Sequence, residues 1–595
     1  MNFWKTVWAA MVGNIFASIL GSIFTAIIIF AIIGIIGSMG EEFELKNQSV
    51  LRINLDHPYT DRAPEKNKLN FGNETTVSGL NDLHAALSFA KTDSRIQGVY
   101  LHVGSLSAAP ATLLAMHNEL LDFKKSGKWI IAYGENYTQG AYFVASASNE
   151  IYMYPTGSFD WRGLNAEITF YKKLLDNLEI EAQVIRGPNN KFKSAVEPFI
   201  YDHMSEPNRE QLSNFIGDIW NVMLDHISTQ RNISVDALQT AANNLSFVSN
   251  NELMNAHMID GLLYPDQVWN RIAEKLKNTS SLEDEKELES EFVSLAKYAP
   301  LAKKALTTTS QDEIAVVYAI GGIESGKGDD ETIGSDRIAK ALRDARLDEN
   351  VKAIVFRVNS PGGSALASDV IWRETQLIKA SGKPLVVSMG DYAASGGYYI
   401  SCFADRIYAE PTTITGSIGV FGIIPNLQNF LDHKLGITTD QYETNPHAGM
   451  MGVTHPLDTV EKVAMQQMIG TIYHDFTSKV AQGRNLSIEF VDSIGQGRVW
   501  SGVDALGLGL VDELGGLQAA IAYAAQKANM SEYEISEYPT LLDPLEEFLK
   551  QLSNDPEALV LQRVLGNRYT TYKHLKQMSS SGVYQSRLPF ELVIE

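Results

Sequence analysis

The alternation of apolar and polar positions divides the chain into a charge-free head followed by two long mixed segments. Ile15–Ile36, "IFASILGSIFTAIIIFAIIGII", is a run of 22 residues without a charge. As a helix rising ~1.5 Å per residue it would measure ~33 Å, enough for a bilayer core of ~30 Å. Lys5 precedes it and Glu41–Glu42 follow. That asymmetry places the N-terminus in the cytoplasm and the bulk of the chain outside. The run exceeds the apolar core of an ordinary signal peptide, and no clear A-x-A site ends it, so an uncleaved single-pass anchor is expected. Beyond the head, helical periods give way to β-branched runs, the order of an α/β chain.

Laid on itself, the chain repeats. Leu83–Val103, "LHAALSFAKTDSRIQGVYLHV", matches Ile338–Val358, "IAKALRDARLDENVKAIVFRV", at a shift of 255 positions. Each reads as a helix, a short polar turn and a buried strand. Ser126–Thr156 matches Ser381–Thr413 after one gap, and Gln230–Leu238 mirrors Gly483–Val491. The expected organisation is therefore an anchor (1–40), a first α/β repeat (41–275), a charged linker (276–311), a second repeat (312–540) and a tail (541–595).

The copies differ where chemistry would sit. The second carries three clusters of glycine and serine: "NSPGGSA" (Asn359–Ala365), "AASGGYY" (Ala393–Tyr399) and "TGSIGVFG" (Thr415–Gly422). Opposite Ser417 the first copy has Trp161, and opposite Gly362–Gly363 it has Ser107–Ala108. A glycine cluster needed only for turning would persist in both copies, so the asymmetry singles out Ser417 as a nucleophile. Glycine lets backbone N–H groups approach a reacting carbonyl, and two such groups aimed at an oxyanion supply several kcal/mol to acyl transfer. Gly363, in a strand-to-helix turn, is the first candidate donor and Ile418 N–H the second. Gly396–Gly397 fits close helix–strand packing beside the site.

The base is less direct. His447 and His455 lie downstream in "NPHAGMMGVTHPLD", without an obvious carboxylate partner. A lysine serves only if burial lowers its pKa from ~10.4, since otherwise about one in 2,500 is neutral at pH 7. The second copy has no lysine in the relevant loop, whereas the first has Lys193 in "IRGPNNKFKSAVEPF" (Ile185–Phe199). Histidine and Lys193 both stand as candidates on residue type.

Composition narrows the class. A net charge of −22 argues against a nucleic-acid partner. The one cysteine, Cys402 in an apolar stretch, reads as core, and neither a disulfide, a metal site nor a cofactor is expected.

The anchor, both repeats, "KFKSAVEPF", "NSPGGSA", "SGGYY" and "TGSIGVFG", in that order, resemble the long tandem-repeat form of the signal peptide peptidase A family, membrane-anchored bacterial serine proteases of peptidase family S49. The resemblance implies a ClpP/crotonase-like fold for each repeat and a Ser–Lys dyad at Ser417 and Lys193. It also implies a homotetramer standing on the outer face of the cytoplasmic membrane, anchored in the bilayer through residues 15–36, with its catalytic part on the periplasmic side. Remnant signal peptides and other apolar peptides would be its substrates. The hydroxyl that orients the lysine would be Thr438 or Thr439. Two alternatives share the fold: a scaffold with dead chemistry, and an acyl-CoA enzyme of the crotonase type. The first would have lost Ser417 or Lys193, and the second would need no anchor.

Overall fold

The computed structural model describes residues 45–63, 77–276, 291–542 and 584–587; the expected anchor at 15–36 lies outside them. Among the described residues, no helix is long and apolar enough to cross a membrane.

Each repeat builds a parallel sheet from its β-branched runs. In the first, strands Gly261–Leu262, Glu150–Met153, Trp129–Gly134, Ile96–Val103, Ser49–Leu55 and Phe292–Ser294 lie side by side, all parallel. In the second, the order is Val499–Ser501, Ile414–Gly416, Leu385–Ala394, Val351–Ser360, Glu313–Ile320 and Glu534–Tyr538, parallel except for the first pair. Val351–Ser360 is buried along nearly its whole length, as expected of a parallel strand covered by helices on both faces. The matched segments take matched forms. Helix Leu80–Ala90 precedes Ile96–Val103, and helix Ser335–Leu347 precedes Val351–Ser360. The 26-residue helices Glu206–Arg231 and Thr459–Arg484 both stop at an asparagine in the left-handed region, Asn232 and Asn485, a conformation asparagine tolerates at a helix end. The α/β class therefore holds for both copies.

Residues expected to be linker are partly structural. Strand Phe292–Ser294 joins the first sheet, and helix Leu295–Leu306 buries Tyr298, Ala299 and Ala302 in the first core. Tyr298 there donates to Asp93 at 3.0 Å. The charges of 279–290 hid the apolar face that follows them.

The two units share buried contacts. Ala394, Ile414 and Val499 of the second copy pack into the core of the first. Arg357 is buried and lies 2.7 Å from the Asp61 carboxylate. Asp391 accepts from the backbone N–H of Thr112 at 2.7 Å and from its hydroxyl at 2.8 Å. Burial, reinforced by Asp61, holds the Asp391 carboxyl above its usual range.

A third sheet crosses between the units. Its order is Thr332–Gly334, Gly322–Glu324, Gly362–Ser364, Tyr584–Arg587, Phe421–Asn426 and Glu181–Arg186. The last strand belongs to the first copy and pairs antiparallel with Phe421–Asn426 over six residues. This pairing brings the lysine loop to the serine.

Candidate active site

Ser417 follows directly on strand Ile414–Gly416, which is held between Leu385–Ala394 and Val499–Ser501. The turn out of that strand is left-handed at two successive residues, with φ +75° at Gly416 and +52° at Ser417. A side chain at Gly416 would sit 2.7 Å from Trp500 Cδ1, so glycine is required there. Ser417 has no such freedom; a left-handed serine costs on the order of 1–3 kcal/mol and persists only where its surroundings impose it. Its backbone N–H donates to Arg498 O at 2.6 Å, and the residue is only 2% exposed.

Lys193 reaches this serine from the other copy. The chain leaves strand Glu181–Arg186 with Gly187 N–H bonded to Val420 O, and Phe192 N–H then bonds Gln496 O at 3.0 Å. The Gln211 amide clamps both sides, donating to Phe192 O and Ser194 Oγ and accepting from Val499 N–H. Gly497, at φ +78°, leaves room for the lysine: a Cβ there would fall 2.5 Å from Lys193 Cβ. Lys193 Nζ ends 3.0 Å from Ser417 Oγ, 2.9 Å from Ser395 Oγ and 3.3 Å from Ser417 O. No carboxylate approaches it within ion-pairing distance among the described residues. Complete burial without a counter-charge pushes its pKa down to about 7.

Ser395 was not singled out by sequence as a partner of Lys193, although it lies in the noted "AASGGYY" cluster. It stands at φ +56°, its N–H bonded to Gly416 O at 2.8 Å. Thr438 and Thr439 do not take this place; both are exposed in a loop. His447 is exposed and pairs with Glu461 at 3.3 Å and Asp458 at 3.5 Å, while the Ser417 hydroxyl meets Lys193 and Gly497 O.

The candidate oxyanion donors flank the same point. Gly363 follows strand Val351–Ser360, whose Ser360 is paired to Ala393, and Ala394 is paired in turn to Gly416. A Cβ at Gly363 would collide with Ile323 O at 2.0 Å. Ser364 caps the next helix, Ala365–Ser381, by accepting from Ala367 N–H at 3.3 Å, so the positive helix end points at this turn. Gly396 and Gly397 permit close packing: a Cβ on Gly397 would lie 2.7 Å from Ser360 O. Ile418, the second candidate donor, is buried immediately after the serine. Trp161, at the position equivalent to Ser417, is instead a core filler, its indole N–H bonded to Leu238 O at 3.0 Å.

Peptidase family S49 matches the chain over residues 122–280 and 378–531. "Protease 4" of Salmonella typhi is 38% identical over 477 residues, covering 78% of this chain and 75% of the relative. "Serine protease SPPA, chloroplastic" of Arabidopsis thaliana is 35% identical over 461 residues, covering 76% and 66%. A solved ClpP1 mutant from Listeria monocytogenes is 16% identical with a TM-score of 0.24, covering 35% of this chain and 94% of that one.

Proposed function

The chain belongs to peptidase family S49 and is a serine peptidase; from that premise we propose a membrane-anchored endopeptidase working through a dyad of Ser417 and Lys193. The observation that carries the dyad is one distance in a buried site: Lys193 Nζ stands 3.0 Å from Ser417 Oγ. With burial lowering its pKa to about 7, roughly half the lysine is neutral at pH 7. A neutral amine has two N–H donors and one lone pair. Ser395 Oγ and Ser417 O take the two donors, which leaves the lone pair for the Ser417 hydroxyl proton.

In the proposed reaction Lys193 removes that proton as Oγ attacks the scissile carbonyl. The developing oxyanion faces the N–H groups of Gly363 and Ile418. Lys193 returns the proton to the leaving amine, and the acyl group remains on Ser417. The neutral lysine then activates a water that releases the second product. Neither step calls on a metal or cofactor.

The substrates proposed are remnant signal peptides and other apolar peptides, with small or apolar side chains near the cut. The charge-free run 15–36 supports anchoring in the cytoplasmic membrane with the catalytic part on its outer, periplasmic face. Each repeat is proposed to be a ClpP/crotonase-like unit and the working form a homotetramer. Leu366, 70% exposed, and Val370 stand one turn apart on the helix leaving the Gly363 turn, an apolar face suited to a subunit contact.

Full-length protein in detergent should cleave a fluorogenic apolar peptide and react with a serine-directed phosphonate, and Ser417→Ala should lose both. Equal labelling of the Ser417→Ala chain would overturn the assignment.

Ser395 is proposed as a positioning residue, since it acts through the lysine. Its replacement by alanine removes an acceptor that favours the ammonium form, so the midpoint of the pH–rate profile should move to lower pH. kcat should fall ~10–100-fold with KM little changed. An unmoved midpoint would exclude that role.

A further inference from the structure

Glu197, in the "KFKSAVEPF" run that supplies Lys193, is 3% exposed and takes no part in the reaction proposed above. Every group that meets its carboxylate is a donor. Ser205 offers its hydroxyl and its backbone N–H, and Asn208 offers its amide nitrogen at 2.9 Å. A carboxylate so placed only accepts, and the Asn208 side chain must turn its NH2 towards it and its oxygen away. That oxygen accepts from Gln211 Nε2 at 3.0 Å. Gln211 is thereby held with its NH2 towards Asn208, Ser194 Oγ and Phe192 O, and its oxygen towards the second copy. There Val499 N–H meets it at 3.2 Å.

Three hydrogen bonds thus run head to tail in one direction: Val499 N–H to Gln211, Gln211 to Asn208, and Asn208 to Glu197. Asn208 and Gln211 are as deeply buried as Glu197, and in such surroundings aligned bonds polarise one another. An amide has nearly the same shape either way round, so its partner decides its sense. With Gln211 reversed, its oxygen would face the oxygens of Asn208 and Phe192, and its NH2 would face the Val499 N–H. Both ends of that mismatch touch the dyad. Phe192 and Ser194 flank Lys193, and Val499 pairs with Gly416, the residue before Ser417. We infer that Glu197 is a positioning residue, whose carboxylate sets the sense of a buried amide relay that registers the lysine loop against the serine strand. This role rests on the proposed dyad, since it names what holds the two halves in register. A mere anchor for the helix Glu206–Arg231, which Ser205 caps, would need only the Ser205 contacts.

Moving the carboxylate one place along the relay separates the two roles. In the full-length chain, Asn208→Asp sets a second carboxylate against Glu197 and leaves no hydrogen to join them. kcat should fall ~100-fold with KM little changed, the cost of misplacing a reacting group by about 1 Å. Adding Glu197→Gln restores every donor–acceptor pair in its original sense. The new amide gives its NH2 to the carboxylate at 208, which still accepts from Gln211. The double variant should recover kcat to within about fivefold of wild type. It should also keep the wild-type midpoint of the pH–rate profile, since one buried carboxylate is retained. An anchor forecasts the opposite, because the double variant has lost both native side chains.

Hydrogen exchange of the backbone at residues 496–501 reads the relay without turnover. It should be faster in Asn208→Asp and return to the wild-type rate in the double variant. Should the single variant fail to fold, the double variant still decides, and folding with near-normal kcat supports the relay. A double variant no better than Asn208→Asp, or a single variant indistinguishable from wild type, would overturn the inference. A Ser417→Ala chain that still turns over peptide, with the exchange pattern as stated, would refute the dyad and leave the relay standing.

Discussion

Exchanging Lys193 for methionine is expected to abolish peptidase turnover and at the same time to stabilise the folded chain. The lysine is completely buried with no carboxylate partner among the described residues, and its pKa falls from 10.5 to about 7. In the unfolded chain the same amine titrates near 10.4. Below pH 7 the folded state therefore holds a charge that burial disfavours, and the full penalty, of order 5 kcal/mol, is present. Above about 7 the folded amine is neutral while the unfolded one keeps its proton until about 10.4, so the penalty fades as pH rises across that window. Wild-type stability should thus climb across that window relative to the methionine variant, which carries no such proton. Methionine keeps the length and removes the charge, so a gain on the order of 2–4 kcal/mol at neutral pH is expected by chemical unfolding. A structural lysine would behave in the opposite way, and a methionine chain weaker than the parent would refute this account.

The same shift governs rate. Because the neutral amine is the working form, kcat/KM should rise about tenfold per unit on the acid side and level off above a midpoint near the lysine's depressed value of about 7. Lys193→Arg should be inactive, since guanidinium keeps its proton throughout. A histidine base would give a similar midpoint, so His447→Ala is the control, and it should keep the profile unchanged.

Much of this was legible in the sequence, and the reasons differ by residue. The β-branched runs at 96–103 and 351–358 are buried parallel strands, where hydrophobicity and propensity point the same way. Ser417 stood out because Trp161 replaces it in a copy that keeps the scaffold, and that tryptophan is bound into the core. What pattern does not carry is contact between distant loops. Lys193 meets Ser417 because Glu181–Arg186 zips onto Phe421–Asn426, an event about 240 residues away in sequence. Ser395 was passed over for a related reason. Its left-handed backbone aims the hydroxyl at Lys193, and a non-glycine residue in that region has no local signature. The strand and helix at 292–306 were read as linker because a charged run precedes them, while their apolar face pairs with a strand far upstream.

Mixing Lys193→Ala and Ser417→Ala chains in one assembly is expected to leave the peptidase inactive, with no recovery above either variant alone. In the folded chain Lys193 already lies 3.0 Å from its own Ser417, and both flanks of its loop are bound to the same chain's second copy. Phe192 N–H holds Gln496 O, and Gln211 holds Val499 N–H. The interlocking strand pair Glu181–Arg186 and Phe421–Asn426 would have to be broken for the loop to serve a neighbour. A symmetric oligomer could still contain a lysine exchanged between subunits, as domain-swapped assemblies do. In that case random mixing of equal amounts would join an intact lysine to an intact serine at about a quarter of the sites. Turnover of a fluorogenic peptide at that level would sink the intrachain dyad while leaving both residues catalytic. Turnover below about 1% of wild type, in assemblies shown to contain both variants, would mean that fusing two repeats confines the base and the nucleophile to one chain.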